Sequence, residues 1–221
     1  MRGMRQTVST ALRLMLMLNV PATIGLVALA HPIVALLLER GRFTPHDTAA
    51  TAAALMFYAP GLLGYSAVKI ASPSFYSLRD ARTPVTVSVI AVLANLTINL
   101  LLVRVMGYRG LALGTALAAM FNAGLLLWLL RRRLGGLEGR RVTVALIKIT
   151  VASLAMGAAA QMASRSLATL VPGTNSISRA IQLGGAIAVG MIVLIVAARI
   201  LRLAEFDEAF GRVLRRLRPT T

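Results

Sequence analysis

Apolar residues fill this chain in long unbroken runs, and the charged residues gather between them. Six runs stand out: Leu14–Leu38, Thr48–Val68, Thr83–Val103, Gly110–Leu130, Val142–Ala163 and Ala180–Ala198. A helix needs about 20 consecutive apolar residues to cross a bilayer, and each run reaches or approaches that length. The first run is uncharged for 25 residues, too long for the apolar part of a signal peptide, and no convincing small-residue cleavage site precedes its end. Pro21 and the pair His31-Pro32 lie inside it and predict a kink, or a short second piece ending at "LLLERGRF". In the second run Pro60, with Gly61 and Gly64 close behind, predicts another break. Such breaks are tolerated in a membrane where neighbouring helices cover the freed backbone groups. The fifth run is the least regular, with Lys148 near its start and Gln161 near its end. The pattern predicts an all-α polytopic transmembrane bundle of about six spans.

Composition agrees. The chain of 221 residues is 57% hydrophobic and only 14% charged, against about 25% charged in an ordinary soluble domain. It has no cysteine, so a disulfide framework and a thiolate metal site are both excluded. A net charge of +17 in a soluble chain would point to nucleic acid. Here its distribution argues otherwise. Arg2, Arg5 and Arg13 precede the first run, and Lys69, Arg79 and Arg82 follow the second. Arg131, Arg132, Arg133, Arg140 and Arg141 follow the fourth, and six arginines from Arg199 to Arg218 follow the sixth. The intervening loops hold two each: Arg40 and Arg42, Arg104 and Arg109, Arg165 and Arg179. This alternation is the positive-inside pattern, with both termini cytoplasmic. The charge is a topology signal, and no nucleic-acid partner is implied. Three regions follow: a four-span part over residues 1–135, a further pair of helices over 136–198, and a basic tail over 199–221. Leu201, Phe206, Phe210, Val213, Leu214 and Leu217 among the tail's arginines predict an amphipathic helix on the membrane surface.

The candidate chemistry is sparse. His31 and His46 are not at metal-ligand spacing, and the seven acids lie in loops and the tail rather than pairing within a span. There is no phosphate-binding glycine loop and no nucleophile elbow, so no enzyme, metal or cofactor is implied. "GLALG" (Gly110 to Gly114) opens the fourth run with a GxxxG spacing, which reads first as a close helix-packing face. Asn95 and Asn99 are four apart and share a helix face, and Asn122 sits inside the next run. Amides at that depth hydrogen-bond a neighbouring helix or line a polar path. In "ERGRFTPHDT" Gly41 ends one helix, Thr44 or Asp47 caps the next, and Pro45 starts its first turn. Glu39, Arg40, Arg42 and Asp47 nearly cancel, which predicts a compact, self-paired hairpin.

The stretch "AVKIASPSFYSLRDARTPV" (Ala67 to Val85) admits two readings. Lys69 closes an apolar run, so it snorkels to the headgroups while Arg79, Asp80 and Arg82 form a solvated turn. Alternatively, Lys69 is a functional charge at the inner mouth of a cavity, and the Arg79, Asp80 and Arg82 turn is a structural clasp.

The strings "ERGRFT" with Asp47, "VKIASPSFYSLRDARTPV", "NLTINLLLV" and "GLALGTALAAMFNAGLLLWLLRRR" resemble the MurJ (MviN) lipid II flippase family of bacterial inner membranes. The resemblance is strong from about residue 10 to 135 and carries Gly41, Phe43, Lys69, Pro73, Phe75, Tyr76, Asp80, Thr83 and Pro84. It implies a transporter of the multidrug/oligosaccharidyl-lipid/polysaccharide exporter superfamily, with fourteen spans in two lobes. Such a protein moves the undecaprenyl-linked peptidoglycan precursor from the cytoplasmic to the periplasmic leaflet. On that reading this chain is the part of the second lobe from spans nine to twelve, plus an additional C-terminal helix pair that forms a lipid-tail groove. The implied partners are the lipid-linked precursor, membrane lipids and, as a separate chain, the missing spans. Lys69 would meet the anionic pyrophosphate headgroup at the cytoplasmic mouth of the cavity. The alternatives are export of another polyprenyl-linked saccharide or a drug, or a membrane scaffold or inactive fragment without transport.

Overall fold

The computed structural model describes residues 2–173 and 175–202. Among them lie eight helices: α1 (Arg2–Ala28), α2 (Ala30–Leu38), α3 (Pro45–Tyr58), α4 (Gly61–Ser77), α5 (Arg82–Met106), α6 (Tyr108–Leu134), α7 (Gly139–Leu170) and α8 (Ser176–Ile200). Six stretches are long and apolar enough to cross a membrane: α1, α3 running on into α4, α5, α6, α7 and α8. The fold is the expected all-α bundle of six spans. The amphipathic reading of the tail falls on residues outside the described ones.

The boundaries have local causes. Pro32 has no N–H to give the carbonyl of Ala28, and α1 ends there before α2 restarts after Leu29. A capping box starts α3. The Thr44 hydroxyl accepts the Asp47 N–H at 3.3 Å, the Asp47 carboxylate accepts the Thr44 N–H at 2.9 Å, and Pro45 takes the first helical position. Pro60 keeps helical dihedrals, so the chain bends between α3 and α4 without stopping.

Two helices outrun their apolar cores. The second run was expected to end at Val68, but α4 continues to Ser77; the fifth was expected over Val142–Ala163, but α7 covers Gly139–Leu170. Hydropathy marks the part of a helix that lies in hydrocarbon. Hydrogen bonding carries the helix further, and the polar residues of its last turns stay exposed.

With little hydrophobic drive between helices in lipid, close packing has to hold such a bundle together, and that favours small residues at the contacts. Helix α6 packs against α4 on one side and α5 on the other, while α5 barely touches α4. A Cβ added at Gly64 of α4 would stand 2.5 Å from the Ala119 carbonyl carbon of α6. One added at Gly114 would stand 2.1 Å from Asn99 Oδ1 of α5, so the GxxxG spacing is a packing face. Phe75, Leu126 and Leu130 are fully buried with Val8, Leu12 and Val87 in one cluster. A second cluster joins α1 and α8 to α7 through Val20, Ala145, Ile149 and Ala198. A third joins Leu29, Ala160, Leu183 and Ala186.

The bundle has a basic end, with the start of α1, the α4–α5 and α6–α7 turns and the end of α8, and a far end with the other turns. At the basic end Arg5 Nε donates to the Leu134 carbonyl and Lys148 Nζ to the Leu201 carbonyl, cations meeting helix C-termini.

Candidate functional site

An apolar groove of about 570 Å³ runs between α1–α2 and α8, floored by α7. Leu18, Pro21, Leu26 and Ile33 form one wall, Ile187, Met191 and Leu194 the other, and Ile149, Ala152, Met156 and Ala160 the floor. Alanine and glycine at the α7–α8 contact draw those two helices together, and the larger side chains stand at the groove's rims. Leu18 is 69% exposed and Met191 49%, so the groove opens sideways from the bundle. Expected on the last two spans, the groove takes its second wall from α1 and α2.

Lys69 stands elsewhere. The buried residues of α4 are Gly61, Gly64, Ala67, Ala71 and Phe75, and Lys69 lies midway between two of them in sequence, on the opposite face. Tyr65, Pro73 and Tyr76 share its exposed stripe. Lys69 is not at the end of its helix, as the shorter expected span placed it. Eight residues follow it to Ser77, about 12 Å of helix at 1.5 Å per residue. Pro73 removes the N–H that would bond the Lys69 carbonyl, so a backbone acceptor and an ammonium share one spot on this face.

On the opposite side of α6, Asn99 Nδ2 donates to Asn95 Oδ1 at 2.5 Å. Asn99 Oδ1 and Asn122 Oδ1 are buried and accept no hydrogen bond. The antiparallel register that puts Asn99 on Gly114 leaves Asn122 two turns further along α6. The structure therefore joins Asn95 to Asn99, leaves Asn122 separate, and sets Lys69 apart from all three.

The turn after α4 closes with paired bonds: Arg79 N donates to the Tyr76 carbonyl and Asp80 N to the Phe75 carbonyl, both at 3.0 Å. Asp80 then caps α5, accepting the Thr83 N–H at 3.1 Å and its hydroxyl at 2.7 Å, and pairs with Arg133 of α6 at 2.7 Å. The two Thr83 bonds hold the Asp80 carboxyl below its ordinary value against the opposing effect of burial, and Arg133 and the Arg82 N–H add smaller lowering effects. Asp80 of the expected clasp is bonded by the Arg82 backbone, and its side chain also binds Thr83 and Arg133, which the sequence did not mark. Pro84 is buried in the first turn of α5, Phe43 packs on Ala30, Val34 and Ala52, and Gly41 takes φ +61° in the α2–α3 turn.

That turn is paired within its own hairpin, through Thr44 with Asp47 and Thr48 with Glu39, and beyond it. Arg179 of α8 reaches Glu39 at 2.6 Å, and the Thr48 hydroxyl donates to the same carboxylate at 2.7 Å. Sequence reasoning missed this pair, which is 140 residues apart, because nothing local marks it. It also missed the Ser66 hydroxyl donating to Asn19 Oδ1 at 2.9 Å, which binds α4 to α1. Two lone polar residues in apolar runs were the available signal.

The family model of "Lipid II flippase MurJ" matches residues 2–180. A probable lipid II flippase MurJ of Rickettsia prowazekii is 42% identical over 118 residues, covering 53% of this chain and 23% of that protein. The Vibrio cholerae protein of the same description is 36% identical over 124 residues, 56% of this chain and 24% of the relative. That of Rhizobium meliloti is 33% identical over 181 residues, 80% of this chain and 34% of the relative. The chain thus spans between about a quarter and a third of the length of these curated relatives.

Proposed function

This chain belongs to the MurJ family of lipid II flippases, and from that premise we propose that it supplies one wall of a flippase for the undecaprenyl-linked peptidoglycan precursor. The activity is transport by alternating access, in which two lobes rock about a central path and no covalent bond is made or broken. The observation that carries this reading is the groove. It is apolar along its length, opens sideways and is bounded by helices long enough to span a membrane. A polyprenyl chain can stay in such a groove at no desolvation cost while a polar headgroup crosses.

Lys69 is the cation proposed to meet the diphosphate, on a face of α4 that no other described helix covers. Asn95, Asn99 and Asn122 are proposed to line the polar path on the other side of α6. The protein is placed in the bacterial inner membrane with its basic end in the cytoplasm, following the distribution of arginines. Cysteines replacing Thr44 should then react with an impermeant reagent from outside intact cells, and those replacing Ser77 or Gly136 should not.

The test of function is Lys69→Gln and Lys69→Arg in a complete flippase, scored for rescue of a flippase-depleted bacterium at matched expression. At a diphosphate site both changes impair rescue and the loss of charge is worse, because arginine's planar fork does not replace a compact ammonium. Full rescue by Lys69→Gln would return Lys69 to membrane anchoring. The groove is tested separately, by photo-crosslinking from Met191 to a diazirine-bearing polyprenyl phosphate in vesicles.

A further inference from the structure

Helix α8 is held by polar contacts at its two ends and by apolar packing between them. At the basic end Lys148 Nζ donates to the Leu201 carbonyl at 3.0 Å. At the far end Arg179 Nη2 meets Glu39 Oε1 at 2.6 Å, and Arg179 Nη1 donates to the Ala35 carbonyl at 2.9 Å. Thr48 of α3 holds the other oxygen of Glu39 at 2.7 Å, and Thr48 itself is fully buried. Helices α3 and α8 therefore meet on the one carboxylate that the turn after α2 supplies, and Arg179 also ties α8 to α2 through the Ala35 carbonyl. The side chains of Arg179 and Glu39 are only 19% and 15% exposed.

These contacts stand at one end of the groove. Ala35 is two residues beyond Ile33 of the groove wall, and Arg179 is two turns before Ile187 of the opposite wall. Between the pair and the groove, Leu183 and Ala186 are buried against Leu29 and Ala160. From Ile187 to Leu194 the groove-facing side chains of α8 are apolar.

We propose that Glu39 and Arg179 are positioning residues that latch α8 to the α2–α3 hairpin and so set the width of the groove at its far end. The proposal rests on the groove's being the tail site, since only then does its width bear on transport. Arg179 reaches across as a two-pronged donor, to a carboxylate and to a backbone carbonyl, which fixes direction as well as distance. A pair this sheltered contributes little net stability compared with an apolar replacement. Its effect is on arrangement: without it, apolar packing alone sets where the start of α8 lies relative to α2. The other titratable or charged groups nearby are His31 on α2 and Arg40 in the turn; among the described residues neither bridges to α8.

The chain has no cysteine, so nitroxide labels can be placed uniquely across the groove, at Ala22→Cys of α1 and Ile187→Cys of α8. Pulsed electron resonance in phosphatidylethanolamine–phosphatidylglycerol vesicles then reads the distance between them. The unaltered pair should give one narrow distribution. Glu39→Gln and Arg179→Lys should broaden it and lengthen its mean by roughly 2 Å or more, the scale of a local rearrangement. Thr48→Val, a milder change that keeps the ion pair, should broaden it less and guards against a Glu39 variant that fails to fold. An unchanged distribution in every variant that folds would overturn the latch. The distance needs no lipid ligand, so failure of the polyprenyl crosslink at Met191 would refute the groove's role and leave the latch result standing by itself.

Discussion

Gly64→Ala tests whether close backbone contact holds α4 in place. The added Cβ would meet the Ala119 carbonyl carbon at 2.5 Å, its oxygen at 2.6 Å and the Met120 nitrogen at 2.7 Å. All three are backbone atoms of α6, so no side chain can rotate away. Reaching ordinary contact at 3.4 Å requires α4 and α6 to separate by nearly 1 Å along that direction. Overpacking of this kind costs about 1–3 kcal/mol. Alanine in place of glycine inside a helix returns about 0.5–1 kcal/mol, so the net loss is up to about 2.5 kcal/mol, while the gap to a glycine-to-alanine change in open space stays at about 1–3 kcal/mol, at least about a fivefold difference in the folded-to-unfolded ratio. Gly124→Ala in α6 is the matched control, since nothing lies within 4 Å of its added Cβ. It should be neutral or stabilising. The assay is reversible unfolding in bicelles, both variants side by side. If Gly64→Ala is as stable as Gly124→Ala, α4 and α6 are not in backbone contact, and the placement of Lys69 relative to α6 fails with it.

Arg79 holds φ +59° in the turn after α4, a left-handed conformation that costs a non-glycine residue about 1 kcal/mol. Arg79→Gly should therefore stabilise the turn by up to that amount in the same unfolding assay, and a loss would show that the arginine side chain matters more than its backbone. The Asp80 carboxyl is held below its ordinary 3.8 by Thr83 and Arg133. Its contribution is thus present at neutral pH and lost only as pH falls below that value; Asp80→Asn should flatten the acid limb of a stability-versus-pH curve and leave the neutral-to-basic limb parallel to the wild type. Glu39 is lowered from 4.5, first by Thr48 and then by Arg179, so the label distance across the groove should hold through the neutral range and lengthen only as pH falls below that ordinary value, and it should not lengthen further in Arg179→Lys, which has already released the latch. Gly114→Ala should drive the Asn99 amide off its seat, seen as altered exchange of the Asn99 side-chain amide protons; unchanged exchange would refute the α5–α6 contact.

Much of this architecture could be read in the residues before any coordinates. The start of α3 was legible because Thr44, Pro45 and Asp47 are a complete local instruction, each meeting a partner within three positions. The six spans were legible because hydrocarbon length is a property of a run, not of a fold. Helix ends were read short at Val68 and Ala163 because apolarity stops before hydrogen bonding does. Long-range ion pairs were not legible at all: Glu39 had Arg40 and Arg42 as neighbours in sequence, and it chose Arg179, which the α7–α8 turn brings to the same end of the bundle. A groove beside the last helix pair was implied by the family resemblance and not by the residues, and the wall that α1 supplies depends on how α1 lies against α7. That follows from contacts such as Gly157 on Ile24, and no periodicity announces them.

The placement of small residues also separates what moves together from what does not. On α6, Ala116 and Ala119 face Gly61 and Gly64 of α4, while Gly110 and Gly114 face Leu102 and Asn99 of α5. By the 3.6-residue turn these are opposite sides of one helix. Toward the far end backbone rests on backbone or on a short amide across both seams, and toward the basic end Phe75, Leu126 and Leu130 fill the α4–α6 seam as fully buried side chains. Lys69 and the Asn95–Asn99 pair are therefore carried on one rigid unit, whose spacing cannot change unless a seam opens. A unit built this way fits the rocking-body motion proposed above. Helix α8 shares such a seam with α7, Gly190 against Ala160, but across the groove it meets the α1–α2 side mainly at its far end, through Leu183, Ala186 and the Arg179 contacts. Conformational freedom within the described part of the chain should accordingly concentrate across the groove, where the proposed tail lies, and be least across the α4–α6–α5 and α7–α8 seams.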